Sequence, residues 1–156
     1  MRGLGIALLL AVTVAAGQAS AGTIYNVERG PGIRSLAYGA EMPVVVAGPV
    51  FDGLSPEALA GLLRGRDRLA RTRFVAAGPE ARSGLALVLS FGRADGRGLC
   101  SGRIAGGAAP DIVAAAVCLN GEAVASATMR RGRSVERDFN ELLHRMVTRR
   151  PRGSRL

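Results

Sequence analysis

The sequence predicts an α+β fold: a two-layer sandwich in which a mainly antiparallel sheet carries two helices on one face, in the order β-α-β-β-β-α. Three observations predict it. Residues 85–91 alternate between large apolar and smaller side chains, as a strand does. Asn120-Gly121 stands between two apolar runs, which is the preferred two-residue hairpin turn. Two further segments repeat apolar residues at spacings of three and four, as amphipathic helices do.

The N-terminus has the three parts of a cleavable secretory signal peptide over residues 1–21. Arg2 supplies the positive charge, residues 4–16 form an apolar run, and residues 19–21 are a small-x-small cleavage site. A membrane anchor is the alternative, but this run of 13 residues is shorter than the roughly 20 that a spanning helix needs. We therefore expect a mature protein in the periplasm or outside the cell, with no transmembrane segment after cleavage.

Cleavage leaves 135 of the 156 residues, a length typical of one domain. Residues 22–42 contain four Gly and one Pro without a sustained period, which predicts a loosely structured arm with a short strand near residues 23–27. We expect a single α+β domain over residues 43–149 and a disordered basic tail over residues 150–156.

The domain begins with a β-branched run at residues 44–47, which predicts a short buried strand. A helix should follow, because Ser55 is a suitable N-cap and Pro56 is tolerated at the first helical position. We expect this helix to fray near Arg71 and to bury one face, formed by Leu59, Leu62 and Leu63.

The strand signals of the meander lie at residues 85–91, 99–104, 112–119 and 122–129. Counting outward from the Asn-Gly turn gives the register of the hairpin. The expected pairs are Leu119 with Glu122, Cys118 with Ala123, Ala116 with Ala125, Ala114 with Ala127, and Ile112 with Met129. One face of the hairpin is then apolar and built mainly of small residues, so a helix can lie close to it.

The second helix supplies that partner. Ser134 is its predicted N-cap and Pro151 its stop. Its apolar face is expected to hold Val135, Phe139, Leu142, Leu143, Met146 and Val147, and its polar face Arg137, Glu141, His144, Arg145 and Arg149.

The charge is +9, and every basic residue is Arg. A strongly basic protein can contact nucleic acid, anionic lipid or an acidic partner. Aromatic residues make up only 4% of the chain, too few for a base-stacking surface, so we expect no nucleic-acid partner. A genome-wide preference for Arg over Lys is the other explanation of the charge.

The missing residue types exclude several kinds of chemistry. Without Lys there is no phosphate-loop lysine, no pyridoxal Schiff base and no lysine general base. One His and two Cys cannot complete a structural zinc tetrahedron. We therefore expect no cofactor, no metal site and no catalytic residues.

Cys100 and Cys118 are the only cysteines, and in an exported protein they are expected to form a disulfide bond. They stand at equal distances from a turn centred near residue 109. That symmetry predicts that they face each other across two antiparallel strands.

Cys100 also lies in a Gly-x-Cys-x-Gly motif at residues 98–102, the cysteine form of a hydrolase nucleophile elbow. Such an elbow needs a helix after the nucleophile, and residues 103–110 contain two Gly and a Pro. A thiol hydrolase, with His144 as its base, is therefore the weakest functional hypothesis.

Arg130, Arg131 and Arg133 precede the second helix and are candidates for anion binding together with its N-terminal N–H groups. The alternative is a solvated basic turn. Glu136, Asp138 and Glu141 stand among arginines on the second helix, where surface ion pairs explain them.

Several segments together carry a resemblance to a family of short, uncharacterised exported bacterial proteins. They are residues 72–74, 90–92, 99–102, 118–122 and 138–139, within a likeness that covers about residues 43–148. The resemblance implies no activity and no site residues. The order of elements is also similar to small α/β domains of envelope lipoproteins that assist secretion or cell-wall synthesis, which is an analogy of fold alone.

These observations favour a non-catalytic binding or accessory module that serves another envelope protein. The first alternative is an anion binder that contacts lipid head groups or polyanions through its arginines. The second is the thiol hydrolase at Cys100.

Overall fold

The computed structural model describes residues 23–29, 41–66, 69–93, 96–103 and 108–148. The predicted signal peptide, residues 1–21, and the predicted tail, residues 150–156, lie outside the described residues. So do residues 30–40 of the predicted N-terminal arm.

Within the described residues there are six strands: β1 (Thr23–Arg29), β2 (Glu41–Ala47), β3 (Arg73–Ala77), β4 (Ala86–Arg93), β5 (Ala108–Leu119) and β6 (Glu122–Arg130). They form one mixed sheet in the order β1-β6-β5-β4-β2-β3. The α+β class is confirmed, but the expectation of a mainly antiparallel sheet is wrong, because β2 is parallel to both of its neighbours, β4 and β3. The other three pairs are antiparallel: β1 with β6, β6 with β5, and β5 with β4.

The parallel half of the sheet arises from β3, a strand that the sequence analysis missed. The helix after β2 returns the chain to the end at which β2 begins, so β3 runs parallel to β2. The chain then crosses to the other side of β2, where β4 also pairs with it in parallel. The sequence Arg-Phe-Val-Ala-Ala of β3 shows no clear alternation, because its last three residues are all apolar.

The strand predicted near residues 23–27 is present as β1. It pairs with β6 and forms one edge of the sheet. The first described strand of the chain therefore pairs with the last one.

The first helix, α1 (Pro56–Leu62), begins as predicted, since Ser55 Oγ accepts a hydrogen bond from the N–H of Ala58 at 3.1 Å. It ends at Leu62 rather than near Arg71. The reason is a side chain from the other helix: Asn140 Nδ2 donates to the carbonyl of Leu62 (3.0 Å), and its Oδ1 accepts from the N–H of Arg64 (2.6 Å). These bonds satisfy backbone groups that a longer helix would have paired internally.

The second helix, α2 (Val135–Thr148), matches its prediction. The carbonyl of Ser134 accepts from the N–H of Asp138 (2.9 Å), and its Oγ from the N–H of Arg137 (3.4 Å). On the predicted apolar face, Val135 and Val147 are partly buried, and the remaining four residues are buried: Phe139, Leu142, Leu143 and Met146.

The Asn120-Gly121 turn is confirmed by positive φ angles at both residues, 54° and 80°. The predicted pairs Leu119 with Glu122 and Cys118 with Ala123 are also confirmed. Beyond them β6 contains one extra residue at Val124, a β-bulge, so the other three predicted pairs are wrong. The observed pairs are Val117 with Ala125, Ala115 with Ala127, Val113 with Met129, and Ile112 with Arg130.

Because of the bulge, Ala125, Ala127 and Met129 of β6 share a cluster with Val113, Ala115 and Val117 of β5, and not with Ala114 and Ala116. Val113, Ala115 and Val117 lie in one cluster with side chains of both α1 and α2. On β4 the predicted alternation holds, with Leu87, Leu89 and Phe91 in this helix-side cluster.

The opposite face of the sheet, here called the second face, is also buried. Its cluster consists of Val45, Ala86, Val88, Leu99, Cys100, Ala114, Ala116 and Cys118. Leu99 and Cys100 come from residues 96–103, here called the cover segment. The strand predicted over residues 99–104 is wrong for the described part, which is a 3-10 turn, Arg97–Leu99, followed by a further turn.

Gly96 shows how closely the cover segment approaches the sheet. A Cβ on this residue would lie 3.3 Å from the carbonyl oxygen of Ala115 and 3.3 Å from the Cβ of Ser126. Both neighbours belong to the middle of paired strands and have little freedom to move.

We expect Asn140→Ala to lower the free energy of unfolding by about 0.5–1.5 kcal/mol, because partly exposed backbone groups at the end of α1 lose their hydrogen-bond partners. Chemical denaturation followed by circular dichroism measures it. Arg145→Ala is the control on the same helix: it removes the exposed pair with Glu141 and should cost less than about 0.5 kcal/mol. Equal losses for both variants would contradict the proposed role of Asn140.

Two glycine substitutions should have opposite effects on stability. Gly96→Ala should destabilise by roughly 1–3 kcal/mol, because the added methyl group overpacks the contact with β5 and β6. Gly61→Ala should stabilise by about 0.5–1 kcal/mol, because this exposed residue of α1 has open space around its Cβ position. Both are measured as melting temperatures, and a neutral Gly96→Ala would contradict the close contact.

Candidate functional site

Cys100 and Cys118 form the expected disulfide bond, with 5.5 Å between their Cα atoms. The predicted geometry, in which the two cysteines face each other across two antiparallel strands, is wrong. Cys118 lies on β5, where its partners across the sheet are Ala86 of β4 and Ala123 of β6. Cys100 belongs to the turn of the cover segment, so the bond joins that segment to the second face and not two neighbouring strands.

Both cysteines are buried: the relative exposure is 4% for Cys100 and 0% for Cys118. A disulfide in this position is sheltered from thiols in solution, since exchange requires access to a sulfur atom. Its effect is to hold the cover segment, including the fully buried Leu99, on the second face.

The same bond occupies the sulfur of the Gly-x-Cys-x-Gly motif. The residues that follow Cys100 form a turn, in which Ser101 Oγ donates to the carbonyl of Gly98 (3.2 Å). His144 lies on α2, whose apolar residues pack on the helix-side face, while Cys100 packs on the second face. The bond to Cys118 occupies the Cys100 sulfur, so Cys100 and His144 do not form a nucleophile and base pair.

The three candidate anion-binding arginines do not converge on one point. Arg130 Nε lies 3.1 Å from an oxygen of Asp111. Arg131 forms an ion pair with Asp52. Arg133 is exposed in the turn that precedes α2. Two of the three candidates are thus engaged by carboxylates of the chain itself.

Asp138 occupies the N-terminal end of α2. It is 2% exposed, and its Oδ2 accepts a hydrogen bond of 2.6 Å from the N–H of Gly132. A carboxylate in the first turn also interacts favourably with the helix dipole. The expected surface position is therefore wrong for Asp138, which is buried, whereas Glu141 does pair with Arg145 on the surface, at 2.7 Å.

Residues 51–53 form a contact that the sequence analysis missed. The guanidinium carbon of Arg131 lies 4.8 Å from the centre of the Phe51 ring, which is a cation–π contact. Phe51 meets Phe91 edge to face, with 5.0 Å between ring centres. Asp52 has a left-handed backbone, φ 62°, and this conformation accompanies its ion pair with Arg131. No local pattern in the sequence links Asp52 to a residue so distant along the chain.

A row of hydroxyl side chains crosses the second face. Ser90 is opposite Ala114, which is opposite Thr128, and Ser126 is opposite Ala116. All three hydroxyl-bearing residues are buried, and within the described part of the chain Ser90 Oγ has no hydrogen-bond partner. The row makes this face less apolar than the helix-side face.

Within the described ranges, no group of three or more His, Cys, Asp or Glu side chains is placed to hold a metal ion. None of the helices in this part of the chain is long and apolar enough to cross a membrane. Comparison of the chain with protein-family models, curated proteins and solved structures finds no match.

Replacing both cysteines, in Cys100→Ala/Cys118→Ala, should lower the free energy of unfolding by about 3 kcal/mol in the chain-entropy model for a loop of this length. Amide hydrogen exchange should accelerate first in the cover segment, because its remaining anchors are Leu99 and the Gly96 contact.

The control for this variant is the native protein treated with reductant under folding conditions. We expect the bond to resist reduction, so that neither cysteine is alkylated, because both are buried. Unchanged stability of the double variant, or exchange that accelerates only in α2, would contradict the role assigned to the bond.

Proposed function

We propose that this chain is an exported protein of the cell envelope, located in the periplasm or outside the cell, which acts as a non-catalytic binding or accessory module. The observation that carries the proposal is the buried Cys100–Cys118 bond. It suits an oxidising compartment, and it removes the sulfur of the one motif in the sequence that resembles a catalytic nucleophile.

The engagement of the other reactive side chains supports the non-catalytic part of the proposal. Arg130 and Arg131 pair with Asp111 and Asp52, and Asp138 binds the backbone at the start of α2. A general acid, base or anion clamp has to present its group to a substrate. These groups contact their own chain instead.

The proposal includes a two-layer arrangement, with both helices on one face of the sheet. Its support is that side chains of α1 and α2 share a single cluster with alternate residues of β2, β4, β5 and β6. In this arrangement the helices and the cover segment occupy the two faces, and the edges of the sheet remain for contact with other molecules.

A capture experiment tests the proposal. Residues 22–156 are immobilised through a C-terminal tag and exposed to envelope extract at low and at high salt. We expect a stoichiometric protein partner that is retained at high salt, where attraction to the basic surface is screened. Bait unfolded by reduction in denaturant is the control, and it should retain no such partner.

An activity assay supplies the opposing outcome. Ester, thioester and peptide substrates are incubated with the mature protein and with Cys100→Ser. We expect no turnover by either. Turnover that depends on Cys100 would contradict the non-catalytic proposal and favour the thiol hydrolase.

Anion binding is the second candidate, and the exposed Arg133 next to the start of α2 favours it. Heparin retention of Arg130→Ala/Arg131→Ala/Arg133→Ala is compared with that of Arg73→Ala/Arg103→Ala/Arg145→Ala. The control set matches it, with two arginines in ion pairs and one exposed. We expect equal losses of retention, as for a diffuse basic surface. A selectively larger loss in the first set would establish an anion site at this turn.

A further inference from the structure

The two edges of the sheet are built differently. Along β1 the register with β6 shifts between Tyr25 and Glu28, and the strand ends with Glu28 and Arg29. Bulges and charged residues are the usual means by which an edge strand avoids adding another strand. β3 shows a continuous register with β2, and after Arg73 it contains only Phe, Val, Ala and Ala.

The backbone of β3 is available for pairing on one side. In the described part of the chain, β3 pairs with β2 alone, because it is the last strand in the sheet order. Val75, Ala76 and Ala77 are half-buried, which is more exposed than the aligned residues Val44 and Val45 of β2. An apolar strand edge with unpaired N–H and C=O groups is a template for another strand.

Charges near the two ends of β3 indicate which strand pairs with this edge. Arg71, exposed, lies just before the strand, and Glu80, also exposed, lies just after it. A second β3 in antiparallel orientation places Arg71 of each copy near Glu80 of the other. A parallel orientation would place like charges side by side. The edge is thus complementary to its own copy, turned by a two-fold axis.

We propose that two copies of this chain associate through β3, in antiparallel orientation, so that their sheets join into one continuous sheet. The two-fold axis passes close to Val75, the central residue of the strand. An axis perpendicular to the sheet requires a residue to face its own counterpart, and Val75 then packs against Val75 of the second copy. Because each copy contributes a strand of only five residues, the dimer dissociates on dilution.

Sedimentation velocity over a concentration series of residues 22–156 tests the proposal. We expect a reversible increase of mass toward a dimer in the native protein. Val75→Lys should abolish it, because two like charges would face each other at the axis. Ala123→Lys is the control: it adds the same charge at an exposed strand position of β6 and should leave dimerisation unchanged.

Exchanging the charges of Arg71 and Glu80 tests the antiparallel orientation of the two strands. The test compares two variants with their mixture, so it does not depend on the folding of a single variant. Arg71→Glu alone places two acidic residues together at each end of the dimer, and Glu80→Arg alone places two arginines there, so each variant should dimerise more weakly. Their equimolar mixture restores one opposite pair at each end. We expect the mixture to regain dimer, and a heterodimer to be visible when one variant carries a mass label.

Three results would overturn the proposal: a native protein that remains monomeric at the highest concentration, dimerisation that survives Val75→Lys, or a mixture that associates no better than the separate variants. The test is independent of the capture experiment, because a chain that has no envelope partner can still form this dimer. Circular dichroism of each variant confirms that it retains the native fold.

Discussion

The central strands of this sheet bury both of their faces, and the rest of the fold meets that constraint. Residues 112–118 of β5 are all buried, as are residues 86–91 of β4. A strand that is buried on both faces needs other parts of the chain to cover each of them. The second face is covered in part by the cover segment, a short turn with few apolar side chains. Burial of these side chains alone would attach the turn only weakly to the sheet. The Cys100–Cys118 bond fixes this turn in place.

What the sequence predicted correctly is local. The Asn-Gly turn, the two N-caps and the alternation in β4 each depend on residues within a few positions of one another. The bulge at Val124 was missed because nothing in a run of small and apolar residues marks an extra position. The early end of α1 was missed because its cause, Asn140, lies 78 residues beyond Leu62. The order of the strands is likewise a property of contacts between distant segments.

The candidate site shows the same limit. The sequence predicted correctly that the two cysteines are bonded, but through a symmetry of spacing that the structure does not contain. It placed Arg130 and Arg131 together in a basic turn, and their partners, Asp111 and Asp52, come from other parts of the chain. A cluster of like charges in a sequence is therefore a weak guide to free charge in the fold, since ion pairs are made in three dimensions.

The pairing of β1 with β6 also governs the order in which this chain can fold. Thr23 pairs with Arg130, so the partner of β1 lies more than a hundred residues further along the chain. Contacts of such long range are slow to form, and the chain must meanwhile keep its apolar strands from other molecules. Completion of the sheet is thus a late event that joins its first and last described strands, and deletion of either strand leaves the same gap.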